Sequence, residues 1–265
     1  MAYNVLMVHG NGGASTRFQL FVDKVQKEGA PLVVHLPELP GFEGRPLPET
    51  SDYWSLFLRH LGQVILSDRE TPWIVYGHGI GGSILLEWAA RNWILPDRSF
   101  FRPQKIILHG IIGASLEQRL FPKLMRWRPL RYFLHRMIYT SWLQATWERR
   151  LFIQPDAIPK DLRDQFFRDY RHCQAFPVFF DLITPDWYRQ VQSVTAWESF
   201  HFIWGSEERV VAAKFLEYWK KDYPNATFEV VEGWDHFPML EQAEAFYEKI
   251  IDCLDHQATK AAKEA

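Results

Sequence analysis

Four short segments hold the residue types from which acyl chemistry is built. Gly77-His78-Gly79-Ile80-Gly81-Gly82 follows the apolar run Ile74-Val75-Tyr76 and leads into Ser83-Ile84-Leu85-Leu86-Glu87-Trp88. Small residues around its centre suit a sharp strand-to-helix turn in which the helix packs tightly on the strand. Written G-x-S-x-G, such a turn displays a nucleophilic serine. Here the centre is Gly79, which has no side chain. A phosphate-binding glycine loop is the competing reading. However, the Lys of a Walker loop is missing, and the turn does not follow the first strand, where a dinucleotide fingerprint belongs.

His236 stands in Gly233-Trp234-Asp235-His236-Phe237-Pro238, between the last strand-like run and the last helix. A lone histidine is usually structural or exposed. This one follows a nucleophile-type turn in the chain, and its place suits a general base. Glu208, in Gly205-Ser206-Glu207-Glu208-Arg209-Val210, falls where an orienting acid belongs in the order nucleophile, acid, base. Glu207 is its neighbour, and the Gly-x-x-acid-x-Val register selects Glu208. His9-Gly10-Asn11-Gly12-Gly13 joins the first strand to a helix. Glycine-rich backbone before a helix can present N–H groups to developing negative charge, although such a turn alone is usually only a connection.

These segments need a scaffold, and the hydrophobic pattern supplies one. Strands are expected at Val5–Val8, Leu32–Leu36, Trp73–Tyr76, Lys105–Leu108, Phe200–Trp204 and Thr227–Val231. Helical spacing covers Arg17–Glu28, a stretch from a Ser51 cap to Leu66, Gly81–Trp93, Ala212–Tyr223 and Gln242–Leu254. Strands alternating with helices predict an α/β class with a parallel sheet and helices on both faces. From about Ser115 to Gln190 strand-like runs give way to Arg-, Trp- and Phe-rich helical segments broken by prolines.

Together, the four motifs in their order resemble the α/β-hydrolase superfamily, in its cap-bearing, esterase/lipase-like branch. The resemblance runs from Val5 to about Leu254, and Pro40-Gly41-Phe42-Glu43-Gly44 is similar to the family's Pro-Gly-x-Gly loop with one residue added. It implies a mostly parallel central sheet, a hydrolase core over residues 1–114 and 191–256, a helical cap over 115–190 and a tail over 257–265. It also implies that the backbone N–H groups of Asn11 and Ile80 form an oxyanion hole, with Gly10 and His78 beside the substrate. His236 would be the base, Glu208 its orienting acid, and Gly79 the nucleophile position with the side chain absent.

Three readings of Gly79 follow. The chain is a serine-type hydrolase altered at one position, with ester or thioester hydrolysis of an apolar substrate as its parent activity. Alternatively, it is a catalytically inactive fold member that binds an apolar ligand or a protein. In the third reading His236 activates a water or a substrate proton. Neither Ser83 nor His78 is placed to replace the nucleophile.

Composition limits the partners. The chain has 265 residues, and its formal net charge of -2 argues against general nucleic-acid binding. Its 12 Trp, 20 Phe and 10 Tyr exceed what a core needs and suit an apolar ligand. Cys173 and Cys253 have no ligand-like spacing, so neither a disulfide framework, a metal site nor a cofactor is expected. Without a signal-peptide pattern or a long apolar run, the expected location is cytoplasmic. From Leu116 to Arg150, eight basic residues face two acidic ones, with aromatic residues between them. An amphipathic lid is the plain reading; peripheral contact with an anionic membrane or an acidic partner is the sharper one. Nothing in the sequence speaks to oligomeric state.

Overall fold

The computed structural model describes the backbone of residues 2–138 and 140–264, and their side chains except at 138, 141 and 255–264. Six strands form one sheet: β1 (Tyr3–Val8), β2 (Leu32–His35), β3 (Trp73–His78), β4 (Lys105–His109), β5 (Phe200–Gly205) and β6 (Thr227–Val231). Their order is β2-β1-β3-β4-β5-β6, and every pairing is parallel. From β1 the chain moves outward to β2, then crosses back to β3 on the other side. That reversal opens a crevice at the carboxyl ends of β1 and β3, where open α/β sheets bind their ligands.

The central strands are apolar on both faces, as parallel strands covered by helices must be. Successive side chains point to opposite faces. On β1, Leu6 and Val8 join one core while Val5 and Met7 join the other. On β4, Ile106 and Leu108 belong to the first core and Ile107 to the second. Helices α1 (Gln19–Glu28) and α12 (Ala243–Glu264) cover the second face with Phe21, Val25, Phe246 and Ile250. Helices α2 (Tyr53–Ile65) and α3 (Ile80–Ala90) cover the first, joined there by Leu216 and Trp219 of α10 (Leu216–Asp222). The short α11 (Pro238–Glu241) precedes α12.

Helix α3 is buried from Ile80 to Ala89. It has no polar face, as expected of a helix enclosed on all sides. Its close seat on the sheet needs Gly81, where a Cβ would lie 2.2 Å from Val8 O.

Several boundaries differ from the pattern-based expectation. Helix α2 is capped by Asp52, whose carboxylate accepts the Ser55 N–H at 2.9 Å, and not by Ser51. The cap must be the residue just before the first helical turn, and that turn begins at Tyr53. Helix α3 starts at Ile80 and stops at Ala90, because Trp93 turns away with a positive φ of 53°. The first turn of the expected Arg17 helix is a 3-10 turn, Ser15–Phe18. Similarly, a 3-10 turn, Ala213–Phe215, precedes α10.

Among the described residues between β4 and β5 lie six α-helices and no strand beyond an isolated bridge: α4 (Leu120–Met125), α5 (Arg128–Ile138), α6 (Gln144–Leu151), α7 (Lys160–His172), α8 (Phe179–Leu182) and α9 (Pro185–Thr195). The expected tail, 257–265, falls on residues whose side chains lie outside those described, and α12 itself is drawn to Glu264.

Candidate active site

The loops after β1, β3, β5 and β6 all emerge at the carboxyl edge of the sheet. The loop after β3 is a single residue: Gly79, with φ 54° and ψ -117°, separates β3 from α3. A side chain there would be strained, and glycine adopts this conformation freely. The Gly79 N–H donates to His109 O at 2.9 Å, which ties the turn to the end of β4. A Cβ on Gly79 would have only two neighbours within 4 Å, Gly10 Cα at 3.5 Å and His236 Nε2 at 3.9 Å. The side-chain direction of Gly79 therefore opens toward His236.

His236 follows β6, and its Nδ1 lies 2.8 Å from Glu208 Oε2. The other carboxylate oxygen of Glu208 accepts the N–H groups of Val210 at 2.8 Å and Val211 at 2.9 Å. Burial opposes the charge of Glu208, but His236 and these donors outweigh it and hold its carboxyl below the usual range. In the tautomer that donates from Nδ1 to Glu208, the Nε2 lone pair of His236 faces Gly79. Glu207, the alternative acid, is exposed. Asp235 fixes the backbone beneath: its Oδ1 accepts the His236 N–H at 2.7 Å and the Arg209 N–H at 3.0 Å.

His78, expected beside the substrate, is buried to 1% exposure. Its Nε2–H donates to His236 O at 2.9 Å, and its ring lies 4.4 Å from the His236 ring. Burial, followed by the neighbouring His236 and His109, pushes its pKa far below the ordinary value, so it stays neutral. It buttresses the backbone of His236. Ser83 is likewise buried and donates to Ile112 O at 2.6 Å.

Ile80 opens α3, and the first N–H groups of a helix have no acceptor within it. The loop carrying Gly10 and Asn11 runs alongside, close to Gly79. The Asn11 side chain turns toward the segment between β4 and β5: its Nδ2 donates to Phe176 O at 3.2 Å, and its Oδ1 accepts the Gly12 N–H at 3.1 Å. Tyr170 of α7 packs so closely over Gly12 that a Cβ there would meet its ring at 2.0 Å. Arg17, only 2% exposed, lies 3.8 Å from the Phe166 ring centre and donates to Gly12 O at 3.2 Å. Sequence reasoning missed Tyr170, Phe176, Arg17 and Asp235. Tyr170 is 158 positions from Gly12, and no local pattern marks such a contact.

The tertiary fold also gathers His201, Glu229 and Cys253, which sequence spacing did not connect. Cys253 Sγ lies 3.7 Å from His201 Nδ1, and His201 Nε2 lies 3.2 Å from Glu229 Oε2. Lys249 reaches Glu229 at 2.6 Å, so these donors already partner one another and a cation.

A buried carboxylate, a histidine held by it and a strand-to-helix turn facing that histidine now stand at the switch point of a parallel sheet. Residues 5–249 match the family model described as alpha/beta hydrolase family. The chain belongs to the alpha/beta hydrolase family. Lipase 1 of Psychrobacter immobilis is 22% identical over 249 residues, covering 89% of this chain and 72% of that one. A lipase-named protein of Acinetobacter baumannii AYE superposes with a TM-score of 0.75 at 18% identity, over 98% of this chain and 85% of its own. An esterase of Exiguobacterium antarcticum gives 0.71 at 15% identity, over 96% and 92%. At such identities these structures show that the hydrolase fold is shared. Among the described residues no helix is long and apolar enough to cross a membrane.

Proposed function

We infer that this hydrolase-family chain retains a site for an apolar ester- or thioester-type acyl compound, with acyl-bond hydrolysis as the parent activity. The carrying observation is the alignment of Gly79, His236 and Glu208: a Cβ on Gly79 would point at His236 Nε2 from 3.9 Å, and Glu208 holds the opposite ring nitrogen at 2.8 Å. In this reading Gly79 occupies the nucleophile position, His236 is the base and Glu208 orients it. The N–H groups of Asn11 and Ile80 stabilise the oxyanion, and residues 115–190 form a cap over the apolar site. Gly79 has no atom to attack a carbonyl, so acyl-enzyme formation is impaired. The remaining parts support roughly 10³–10⁴-fold acceleration over water in comparable triads stripped of one member.

The test is Gly79→Ser, assayed with short- and long-chain p-nitrophenyl esters beside the unaltered chain. The Cβ has room, although the backbone conformation costs about 1–3 kcal/mol for a non-glycine residue. The expected result is ester hydrolysis by the serine form well above that of the glycine form. A folded serine form with no activity on any chain length would overturn the reading. Equal activity in both forms would assign the chemistry to a water activated by His236.

The second reading is an inactive fold member that binds an apolar ligand or a protein. It is favoured by Gly79 itself and by Tyr170 and Phe176, which bring the cap against the loop bearing Asn11. Retention of a fatty acid or ester by the glycine form, without turnover, would support it.

A further inference from the structure

The cap turns apolar rings toward water. Seven of the fourteen exposed large apolar side chains among the described residues lie between Leu120 and Trp142, under a tenth of the chain. Leu120, Trp127 and Trp142 are 70%, 64% and 71% exposed. Helix α5 shows how this arises. At 100° per residue, Arg128, Pro129, Tyr132, Phe133 and Arg136 fall on one side, and all five are exposed. The opposite side carries Arg131, 1% exposed and paired with Asp181 at 2.9 Å. At the flank of the exposed side, His135 Nε2 lies 3.1 Å from Tyr170 O. A helix selected only for solubility presents its charges to water and its rings to the protein. Here Leu134 packs on the core and Arg131 pairs with Asp181 on the inner side, while the rings of Tyr132 and Phe133 stand outside among the arginines.

The charge on this surface is predominantly basic. Lys123, Arg126, Arg128 and Arg136 are exposed there; Asp181 pairs with Arg128 at 3.4 Å and with Arg131 at 2.9 Å. The chain as a whole is net negative, at -2, so the basic surface is local. Trp and Tyr settle at the headgroup level of a bilayer, and arginine pairs with lipid phosphate. A bilayer interface offers both partners at once: phosphates for the cations and an interfacial layer for the rings of Trp127, Tyr132 and Phe133.

We propose that the surface formed by α4, the Trp127 turn and α5 docks the protein peripherally on an anionic phospholipid bilayer, with the aromatic rings in the interfacial layer and the arginines on lipid phosphates. Docking does not depend on turnover at Gly79, since none of these residues contacts the His236–Glu208 pair.

Co-sedimentation of the full chain with vesicles tests this, using phosphatidylcholine alone and phosphatidylcholine mixed with phosphatidylserine. Binding to the mixed vesicles is expected at low salt, with a marked loss at high salt and little binding to phosphatidylcholine alone. Arg126→Glu with Arg136→Glu weakens binding by at least about fivefold for each arginine lost. Trp127→Ser with Phe133→Ser weakens it at unchanged charge. Lys27→Glu, an exposed change on α1, leaves it intact. Circular dichroism verifies that each variant is folded, and the salt and lipid dependence of the unaltered chain decides the matter if one is not. Three results overturn the proposal: no binding to mixed vesicles at low salt, binding indifferent to both double substitutions, or self-association without vesicle binding that the same substitutions abolish. The last would assign the surface to a second copy of the chain.

Discussion

Glu208 and Glu207 are neighbours of the same type with opposite fates. Glu208 is buried against His236 and two backbone N–H groups, and Glu207 is exposed. In the Gly79→Ser form, Glu208→Gln should therefore lower kcat by about 10³–10⁴-fold, as loss of the orienting carboxylate does in comparable triads. Glu207→Gln should leave it nearly unchanged; steady-state ester hydrolysis compares the two. Glu241 supplies a pH-dependent term. Burial, with the nearby Asp235 adding to it, raises its pKa from 4.5 to about 7. The folded chain thus keeps a proton that the unfolded chain has released, and stability falls as pH rises from about 4.5 through 7. Glu241→Gln removes this contribution, so melting temperatures at pH 5 and pH 8 should differ less in the variant. The Gln side chain can still accept the Gln154 N–H that Glu241 receives at 2.6 Å.

At the level of elements, the local pattern located strands and helices well and their ends less well. The apolar runs of β1, β3 and β4 were legible because parallel strands buried on both faces are written mainly as Val, Ile and other apolar residues. The start of α2 was misplaced by one residue, since Ser51 and Asp52 can both cap and the tertiary packing of Tyr53 and Trp54 selects the register. Asp52→Ala should cost about 1 kcal/mol and Ser51→Ala close to nothing, read from urea denaturation. Gly81 marks a contact between elements. A methyl group there meets Val8 O at 2.2 Å, so Gly81→Ala must push α3 off β1. The expected loss is about 1–3 kcal/mol or more, measured by the same denaturation.

Across the whole molecule, the strand order accounts for where the site forms. Reversal of the chain between β2 and β3 places the Gly10–Asn11 loop beside Gly79, and the succession β4, β5, β6 brings Glu208 and His236 to the same edge. The segment between β4 and β5 is held there at several points: Asn11 to Phe176 O, Arg209 to Arg149 O and Arg119 to Val210 O. Tyr170 is the largest of these contacts over the loop. Tyr170→Ala should raise amide hydrogen exchange in residues 160–176 while leaving the central strands protected, because the sheet has its own two cores. The loss of strand patterning after about Ser115 was legible in the sequence; the contact of Tyr170 with the loop was not.

The sequence by itself determined the fold class, the order of the motifs and the absence of a side chain at Gly79. These reside in local periodicity and residue type, which any short window of the chain contains. Only the tertiary structure decided what Gly79 faces. The opening toward His236 depends on a left-handed turn at one residue and on loops from four strands meeting at one edge. It also assigned His78 to the support of His236, and it joined Tyr170 and Phe176 to the loop bearing Asn11. Contacts between residues far apart in the chain are set by packing of whole elements, and no residue spacing records them.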